Sequence, residues 1–539
     1  MSFETPSRVN IASYLPRAAA QRPDAWAVIA AQGRGWNRIT FRDLDARSDR
    51  IARGLIGIGL QRGERTLVMV RPGVDLITLT YALFKVGAVP VLIDPGMGRG
   101  AFLRCVEQTG PSCFIGIPLA HLARRLFPSS FKTVIRSVTL GRRWFWGGAT
   151  LSEIEALGAG PTTPILADTA AQDPAAILFT SGSTGPAKGA LYTHGNFDAQ
   201  VRALRADYAF APGEVDLAAF PLFSLFDNAL EMTSVIPAMD PSRPGQCDPA
   251  KIARALEEHA CTTAFGSPAI WKRVAPWCAA QGKTFPMLRR ILIAGASVPP
   301  ALIANLHRCL GSGADVWTPY GATEALPVAR IAGREILEET AAASNVGAGT
   351  CVGRPASGIE VALIRISDVP IAQWSDALRV GDGEVGELCV KGPVVTRAYA
   401  NGPEATTLAK IADGEGIWHR MGDLASQDAE GRLWFAGRKA ERVETRAGTL
   451  YTDQVEGIFA AYAGVGRCAL VGVGERGSQR PVLVVEGRAD AATRERVLAR
   501  GIVEAVLFHP RFPVDVRHNA KIHRHVLRDW ASARLVPRR

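Results

Sequence analysis

The sequence lacks the long apolar runs that mark membrane proteins and secretory signals. No run of about 18 residues, the length that a membrane-spanning helix needs, is free of charge. The most apolar stretch, residues 76–93, contains Lys85. The N-terminal residues MSFETPSRVN have no apolar signal-peptide core. We therefore expect a cytoplasmic protein without a transmembrane segment.

Patterns of metal ligands and disulfides are also missing. The nine cysteines are an odd, scattered set in which no two stand at CxxC spacing, and no HExxH motif occurs. We expect reduced cysteines that are mostly buried as small apolar residues. We expect no structural metal ion.

Three common enzyme motifs are absent or fail in context. No GxSxG occurs, which argues against an ordinary serine hydrolase. Residues 472–477 match GxGxxG, but SQRP and a second apolar strand follow where a dinucleotide site needs a helix, so a hairpin turn is predicted. A nucleotide-binding P-loop needs Ser or Thr directly after its lysine, whereas Gly189 follows Lys188.

The basic balance of the chain does not identify a partner. The net charge is +11, but the arginines are spread along the sequence with only a mild excess near the C-terminus. A nucleic-acid site would gather this charge into a patch or stripe, so we expect no nucleic-acid partner. An anionic substrate such as ATP and an acidic membrane surface fit the charge equally well.

The hydrophobic pattern predicts an α/β fold. Between residues 25 and about 330, short apolar runs alternate with amphipathic stretches, which indicates parallel or mixed sheets flanked by helices. From about 350 to 435 the runs shorten and turns multiply, which predicts a β-rich subdomain. We predict a large N-terminal domain of residues 1–436 and a small, mobile C-terminal α+β domain of residues 437–539.

Residues 179–189, FTSGSTGPAKG, are the most informative stretch that is present. Three glycines, four hydroxyl side chains and one lysine follow the apolar run PAAILF. Glycine amides, hydroxyl donors and a cation at the end of a strand are what a polyphosphate needs. A flexible surface loop is the plain alternative, although such loops seldom hold a lysine behind an apolar strand.

Four further signals follow along the chain. They are Glu324 in residues 320–324 (YGATE), Asp423 in residues 418–423 (WHRMGD), Arg438, and Lys521 in a polar C-terminal loop. A carboxylate at the first can bind Mg²⁺, and one at the second can accept two ribose hydroxyls. Taken alone, Glu324, Asp423 and Lys521 each have an ordinary alternative: a strand-end turn, a turn aspartate and a solvated lysine.

The order and spacing of these five motifs resemble the AMP-forming adenylating enzymes, which include acyl-CoA synthetases, luciferases and the adenylation domains of peptide synthetases. The resemblance covers nearly the whole chain. It implies ATP and Mg²⁺ as cofactors, with Glu324 as the metal ligand. It implies catalytic roles for Thr184, Glu324 and Lys521, with Lys521 bridging the α-phosphate and the substrate carboxylate.

The resemblance also implies the remaining ATP contacts. The β- and γ-phosphates would be enclosed by Thr180, Ser181, Gly182, Ser183, Thr184, Gly185 and Lys188. The adenine would be surrounded by Ala296, Ser297 and Tyr320, and Thr323 would meet the α-phosphate. Asp423 and Arg438 would hold the ribose hydroxyls. Gly295 and Gly321 complete the expected ATP-binding set.

One branch of this family fits best. Residues 179–197, 221–226 and 517–522 resemble the enzymes that form β-lactones in bacterial long-chain olefin biosynthesis. This implies a long-chain 2-alkyl-3-hydroxy fatty acid whose carboxylate is activated as an acyl-adenylate and whose 3-hydroxyl then closes the β-lactone. It implies hand-off to other olefin-pathway enzymes, a β-lactone decarboxylase and a reductase. By residue type, His194 and His419 are candidate bases, and a structural role is the ordinary alternative for each.

Departures from the family pattern keep two alternatives open. Ala440 stands where the family hinge is usually Asp or Lys, Glu444 replaces a cation near the thiol channel, and Ser224 replaces a histidine on the acyl-binding side. An acyl-CoA ligase has the same fold, and its thioester product would identify it. A non-catalytic nucleotide-binding scaffold would release no pyrophosphate.

Overall fold

The computed structural model describes residues 7–160, 163–179, 187–514 and 522–535. Its strands, in chain order, are β1 (Trp26–Gln32), β2 (Gly35–Thr40), β3 (Arg65–Met69), β4 (Val89–Leu92), β5 (Cys113–Gly116), β6 (Arg136–Thr139), β7 (Ala149–Thr150), β8 (Pro174–Phe179), β9 (Gly189–Thr193), β10 (Val215–Ala218), β11 (Thr233–Ile236), β12 (Thr263–Gly266), β13 (Arg290–Ile293), β14 (Asp315–Ala322), β15 (Ala325–Ala332), β16 (Thr350–Pro355), β17 (Glu360–Ile364), β18 (Gly386–Lys391), β19 (Lys410–Asp413), β20 (Gly416–Gln427), β21 (Leu433–Arg438), β22 (Val443–Thr445), β23 (Gly448–Leu450), β24 (Cys468–Val473), β25 (Arg480–Glu486) and β26 (Ala505–His509).

The α-helices lie mostly between consecutive strands. They are α1 (Tyr14–Gln21), α2 (Phe41–Gly57), α3 (Val74–Val86), α4 (Arg99–Thr109), α5 (Pro118–Leu126), α6 (Leu151–Leu157), α7 (His194–Tyr208), α8 (Ser224–Ala229), α9 (Pro249–Glu258), α10 (Pro268–Ala280), α11 (Pro300–His307), α12 (Gly333–Glu335), α13 (Ala341–Ser344), α14 (Pro403–Ala409), α15 (Thr452–Ala460), α16 (Ala491–Leu498) and α17 (Arg524–Leu535).

The larger sheet runs in the order β17-β18-β20-β21-β16-β15-β14-β13-β12-β10-β11-β1-β2, with β19 paired to β20. Its strands from β14 to β1 are parallel, as the alternating pattern predicts. From β14 to β17 its strands are antiparallel. The predicted β-rich region therefore exists, but it extends the large sheet because β16 pairs with β15 on one side and β21 on the other.

A second sheet, in the order β7-β6-β5-β3-β4-β8-β9, is parallel except for the β8–β9 pair. Helices α3 and α7 lie between the two sheets: α3 contacts β4 and β1, and α7 contacts β9 and β15. Their side chains are buried along nearly their whole length. The main core is this helical layer between the sheets.

The C-terminal part has a small sheet of its own in the order β24-β25-β26, packed with α15 and α17. Strands β24 and β25 are antiparallel, with Val473 opposite Arg480. The GxGxxG match at residues 472–477 therefore leads into a hairpin, as its context predicts. The nine cysteines are all free and buried, which confirms that expectation.

The charge in the most apolar stretch of the sequence is buried and fully paired. Lys85 lies on α3 with a side chain 2% exposed, and its Nζ is 2.6 Å from a carboxylate oxygen of Asp45 and 2.6 Å from one of Asp49. The two aspartates are one turn apart on α2. Within the described residues, no helix is both long enough and apolar enough to span a membrane.

We expect Lys85→Met to destabilise the fold strongly, because it leaves two carboxylates facing the core without their cation. Breaking a buried ion pair from one side costs roughly 3–5 kcal/mol. Urea denaturation followed by far-UV circular dichroism measures this loss. The exposed Lys251→Met on α9 is the matched control and should leave the midpoint unchanged; equal midpoints for both variants would contradict the assignment.

Candidate active site

The site lies where the two large sheets meet, at strand β9. The segment 398–401 pairs with the free edge of β9: Ala400 N–H donates to Gly189 O at 2.8 Å, and Leu191 N–H donates to Ala398 O at 3.1 Å. The side-chain oxygen of Asn401 accepts from Gly189 N–H at 2.8 Å. These bonds bring Tyr399 beside the lysine that precedes β9.

A chain of contacts joins Lys188 to Glu324. Lys188 Nζ lies 5.2 Å from the centre of the Tyr399 ring. The Tyr399 hydroxyl donates a hydrogen bond to Glu324 Oε1 at 2.6 Å. Burial and the adjacent Glu324 carboxylate raise the pKa of Tyr399, so its phenol stays a donor at neutral pH. The phosphate-loop lysine and the candidate metal ligand thus share one tyrosine.

Glu324 is held in a two-residue turn between β14 and β15. Ala322 pairs with Ala325, so Thr323 and Glu324 form the turn. The Tyr192 hydroxyl on β9 donates to Thr323 O at 2.5 Å. The backbone N–H of Thr396 donates to Glu324 O at 2.9 Å. Both sheets therefore fix this turn.

The strand before this turn is longer than the sequence pattern predicts. The apolar run suggests a strand that ends at Trp317, with residues 320–324 following it. In the structure β14 continues to Ala322, because Tyr320 pairs with Ala329 on β15. A long-range partner strand stabilises a polar segment that local hydrophobicity does not mark as a strand.

A second cluster joins Tyr320, Asp423 and Arg438. Asp423 on β20 lies opposite Arg438 on β21, and the Arg438 guanidinium is 2.8 Å from Asp423 Oδ1. The Tyr320 hydroxyl donates to Asp423 Oδ2. Asp423 is buried within a strand, so the turn interpretation of this residue is wrong. Asp423 raises the pKa of Arg438, and Glu324 contributes to the same shift.

The residues expected around adenine form the loop between β13 and α11. Gly295 takes a left-handed φ of 94°, which favours glycine, and Ser297 is exposed. Strands β13 and β14 are parallel with Leu292 opposite Trp317, so this loop begins beside the part of β14 that leads to Tyr320. Ala296 and Gly321 are half-buried in the same region.

Some expected site residues cannot be placed. Thr180, Ser181, Gly182, Ser183, Thr184, Gly185 and Lys521 lie outside the described residues. Lys188, Glu324, Tyr320, Asp423 and Arg438 do come together. The common element of the two clusters is the β14–β15 hairpin, which carries both Tyr320 and Glu324.

The sequence did not point to Lys410, which is buried close to Glu324. Its Nζ donates to the carbonyl oxygen of Thr396, the residue that holds the Glu324 backbone. Burial lowers the pKa of Lys410 to about 7, and the Glu324 carboxylate acts in the opposite direction. A lysine inside the apolar segment AKIA was the available signal. The sequence around Tyr399 gave no such signal, because the importance of Tyr399 depends on its contact with Glu324, which lies far away in the sequence.

The two candidate histidine bases differ in their surroundings. His194 Nδ1 accepts from Ile11 N–H at 3.2 Å, and burial lowers the pKa of His194 to about 4. His419 lies opposite Lys410 in the β19–β20 pair, with Nδ1 3.2 Å from Ala409 O. Burial, then Lys410 and Lys188, hold the pKa of His419 well below its usual value. His194 contacts the N-terminal segment, and His419 is the one of the two whose pKa Lys188 lowers.

Helix α8, which begins at Ser224, covers a buried pair of carboxyl groups. Ser224 Oγ accepts from the Ser234 hydroxyl at 2.6 Å, and both side chains are fully buried. Below them, Asp227 on α8 and Asp216 on β10 are buried. Burial raises the pKa of Asp216 to about 7. Burial and the Asp216 carboxylate raise the pKa of Asp227 well above its ordinary value.

We expect this pair to make the protein less stable as pH rises from about 4 towards 8. Both pKa values are higher in the folded protein than in the unfolded chain, so the folded state binds more protons in this pH window. The free energy of unfolding therefore falls as pH rises through the folded pKa values. Asp227→Asn should reduce this loss, measured as urea midpoints at pH 5, 6.5 and 8. The control variant Asp240→Asn, at an exposed aspartate, should show the same dependence of the urea midpoint on pH as the unmodified protein. Parallel profiles for all three proteins would contradict the expectation.

Comparisons with known proteins agree with this geometry. A family model described as AMP-binding enzyme matches residues 15–400. The olefin beta-lactone synthetase of Stenotrophomonas maltophilia (strain K279a) is 49% identical over 556 residues, covering 98% of this chain and 99% of that protein. The olefin beta-lactone synthetase of Xanthomonas campestris pv. campestris is 49% identical over 552 residues, covering 98% of each.

A solved structure has the same fold over nearly its full length. ATP-bound MatB from Rhodopseudomonas palustris superposes with a TM-score of 0.77 at 21% identity, covering 97% of this chain and 99% of that one. The sequence motifs, the hairpin that joins the two clusters and the family match lead to one conclusion. The chain belongs to the AMP-binding enzyme family.

Proposed function

We propose that this enzyme uses ATP to convert a long-chain 2-alkyl-3-hydroxy fatty acid into a β-lactone, releasing diphosphate and AMP. The observation that carries the proposal is the β14–β15 hairpin, which joins the Lys188–Tyr399–Glu324 contacts to the Tyr320–Asp423–Arg438 cluster. The near-full-length similarity to two olefin beta-lactone synthetases supports the choice of reaction.

The first step joins two anions, so its barrier is largely electrostatic. A carboxylate oxygen of the acid attacks the α-phosphorus of ATP, and diphosphate leaves. Lys188 lies at the phosphate end of the site, and we assign it to the β- and γ-phosphates with the loop that precedes it. Lys521 would offset the charge where carboxylate and α-phosphate meet. Cations that the protein already holds in position stabilise this charge without the reorientation that water molecules would need.

The nucleoside end is assigned to the second cluster. Asp423 accepts from Tyr320 and pairs with Arg438, and a carboxylate has lone pairs left for ribose hydroxyls. The Tyr320 ring and the loop of Gly295, Ala296 and Ser297 would flank the adenine. The hairpin then sets the distance between ribose and phosphates.

A magnesium ion fits the chemistry of the donors at Glu324. Mg²⁺ is commonly held by one or two carboxylates together with substrate phosphates rather than by an all-protein cage. Among the described residues no group of three or more Asp, Glu, His or Cys side chains is placed to hold a metal. One carboxylate oriented by Tyr399 matches this mode. When bound, the ion would neutralise phosphate charge.

The second step needs no partner molecule. The 3-hydroxyl oxygen attacks the acyl carbon of the acyl-adenylate, the proton leaves the hydroxyl, and AMP departs. The nucleophile is already tethered beside the carbonyl, and effective molarities of intramolecular reactions reach roughly 10⁵ M or more. A neutral imidazole is the type of group that can take that proton, and His419, opposite Lys410 in the β19–β20 pair, is a candidate by residue type although burial lowers its pKa.

The contacts around the expected hinge favour a reaction without a thiol. Arg442 pairs with Asp368 at 2.6 Å and with Glu444 at 2.8 Å, and Arg476 pairs with the same two carboxylates. Glu444, which replaces a cation of thiol-using relatives, is thus neutralised in an ion-pair network. We propose that residues 437–539 form a mobile unit beside a large unit of residues 1–436, and that this network holds the unit in its adenylating position.

Product identification separates the reaction classes. The enzyme is incubated with ATP, Mg²⁺ and a synthetic 2-alkyl-3-hydroxy acid, with and without coenzyme A, and the products are identified by mass spectrometry. We expect β-lactone in equal yield in both reactions. The matched 2-alkyl acid without the 3-hydroxyl should release diphosphate and give an acyl-adenylate but no lactone.

Two results would contradict the proposal. A thioester that forms only with coenzyme A would make the enzyme an acyl-CoA ligase. No acid-dependent diphosphate release would favour the non-catalytic nucleotide-binding scaffold. The proposal extends to hand-off of the apolar product to other enzymes of olefin formation, and to a cytoplasmic location for the reaction.

A further inference from the structure

An aromatic loop projects from the edge of the smaller sheet, far in sequence from the active-site motifs. Residues 140–148, LGRRWFWGG, connect β6 to β7, and β7 is the terminal strand of that sheet. Trp144 is 52% exposed and Phe145 is 67% exposed. Surface aromatic residues in direct succession are costly in water and need an explanation.

The third aromatic residue anchors this loop. Trp146 is buried, stacks on His121 with ring centres 5.3 Å apart, and donates from Nε1 to Thr139 Oγ1 at 3.0 Å. The rings of Trp144 and Phe145 lie 5.1 and 5.4 Å from that of Trp146. The exposed pair is therefore held at the surface by a fixed support.

Other exposed apolar side chains lie on the segment that precedes β6. Leu119 and Leu126 on α5 are 69% and 66% exposed, and their spacing of seven residues puts them on one helix face. Ile135 is 72% exposed and lines one cavity with Arg124 and Trp146. We define the edge patch as Leu119, Leu126, Ile135, Trp144 and Phe145.

The chain around the edge patch carries charge of one sign. Residues 111–150 contain six Lys and Arg residues and no Asp or Glu. Arg136 binds Glu64 at 3.1 Å, and Arg143 binds Glu153 at 2.8 Å. The exposed Arg125, Lys132 and Arg142 have no carboxylate within ion-pair distance in the part of the chain that the structure describes. Apolar tips are thus bordered by cations that the fold leaves unneutralised.

We propose that the edge patch docks the enzyme onto an anionic lipid bilayer. Tryptophan and phenylalanine side chains settle at the boundary between headgroups and acyl chains, and Lys or Arg beside them attract acidic headgroups. The aromatic side chains and the cations each bind a bilayer weakly, and together they give reversible binding. The proposal stands without the proposed reaction, although a bilayer is where a long-chain substrate would be found.

Sedimentation with lipid vesicles tests the proposal on the full chain. The protein should pellet with vesicles of equimolar phosphatidylcholine and phosphatidylglycerol and stay in the supernatant with pure phosphatidylcholine. W144S/F145S should lower the partition coefficient roughly tenfold or more, because two large apolar side chains lose their burial. R125Q/R142Q should lower it roughly fivefold for each removed cation, and added salt should weaken binding of the unmodified protein.

Trp26→Ser is the matched control. Trp26 is another exposed tryptophan beside an arginine, Arg38, but it lies on β1 in the larger sheet. The Trp26→Ser variant should bind anionic vesicles as strongly as the unmodified protein does. Equal binding to neutral and anionic vesicles, or unchanged binding of both double variants, would overturn the proposal. A dimer that W144S/F145S dissociates in sedimentation velocity would assign the edge patch to a second copy of the chain instead.

Discussion

A carboxylate approaches a phosphate only where cations and hydrogen-bond donors outweigh the repulsion between two anions. We propose that in this structure that balance depends on the Thr323–Glu324 turn. Tyr192 on β9 and Thr396 hold its backbone, Tyr399 holds its carboxylate, and the preceding strand carries Tyr320 to Asp423. A shift of this turn would separate the proposed phosphate end of the site from the proposed nucleoside end.

The fold explains why the turn is so firmly held. The two large sheets enclose α3 and α7, and β9 is the strand at which the smaller sheet meets segment 398–401 and the Tyr192–Thr323 contact. Lys85, a buried charge away from this region, is paired with Asp45 and Asp49. Next to the turn the pairing is less complete. Lys410 is buried against a backbone carbonyl, and burial lowers its pKa, which is a common property of functional sites.

The sequence predicted the fold class and several residues of the candidate site for physical reasons that can be named. Parallel strands such as β8 are visible in the sequence as short apolar runs. The GxGxxG match at residues 472–477 was recognisable as a hairpin turn because a strand rather than a helix follows it. Glu324 and Asp423 stood in recognisable motifs. Tyr399 and Lys410 did not, because their importance lies in contacts with residues such as Glu324, 75 positions from Tyr399. The extent of β14 was missed for the same reason, since its continuation depends on pairing with β15.

We propose that Glu324, fixed by this turn, makes the meeting of acid and nucleotide possible. Exchange of labelled diphosphate into ATP measures that step alone, without the lactone closure. We expect exchange that requires both Mg²⁺ and the hydroxy acid, falls roughly 100-fold or more in Glu324→Gln, and is unchanged in Glu338→Gln, which alters an exposed glutamate nearby in sequence. Exchange at the unmodified rate in Glu324→Gln would contradict the proposed role of Glu324.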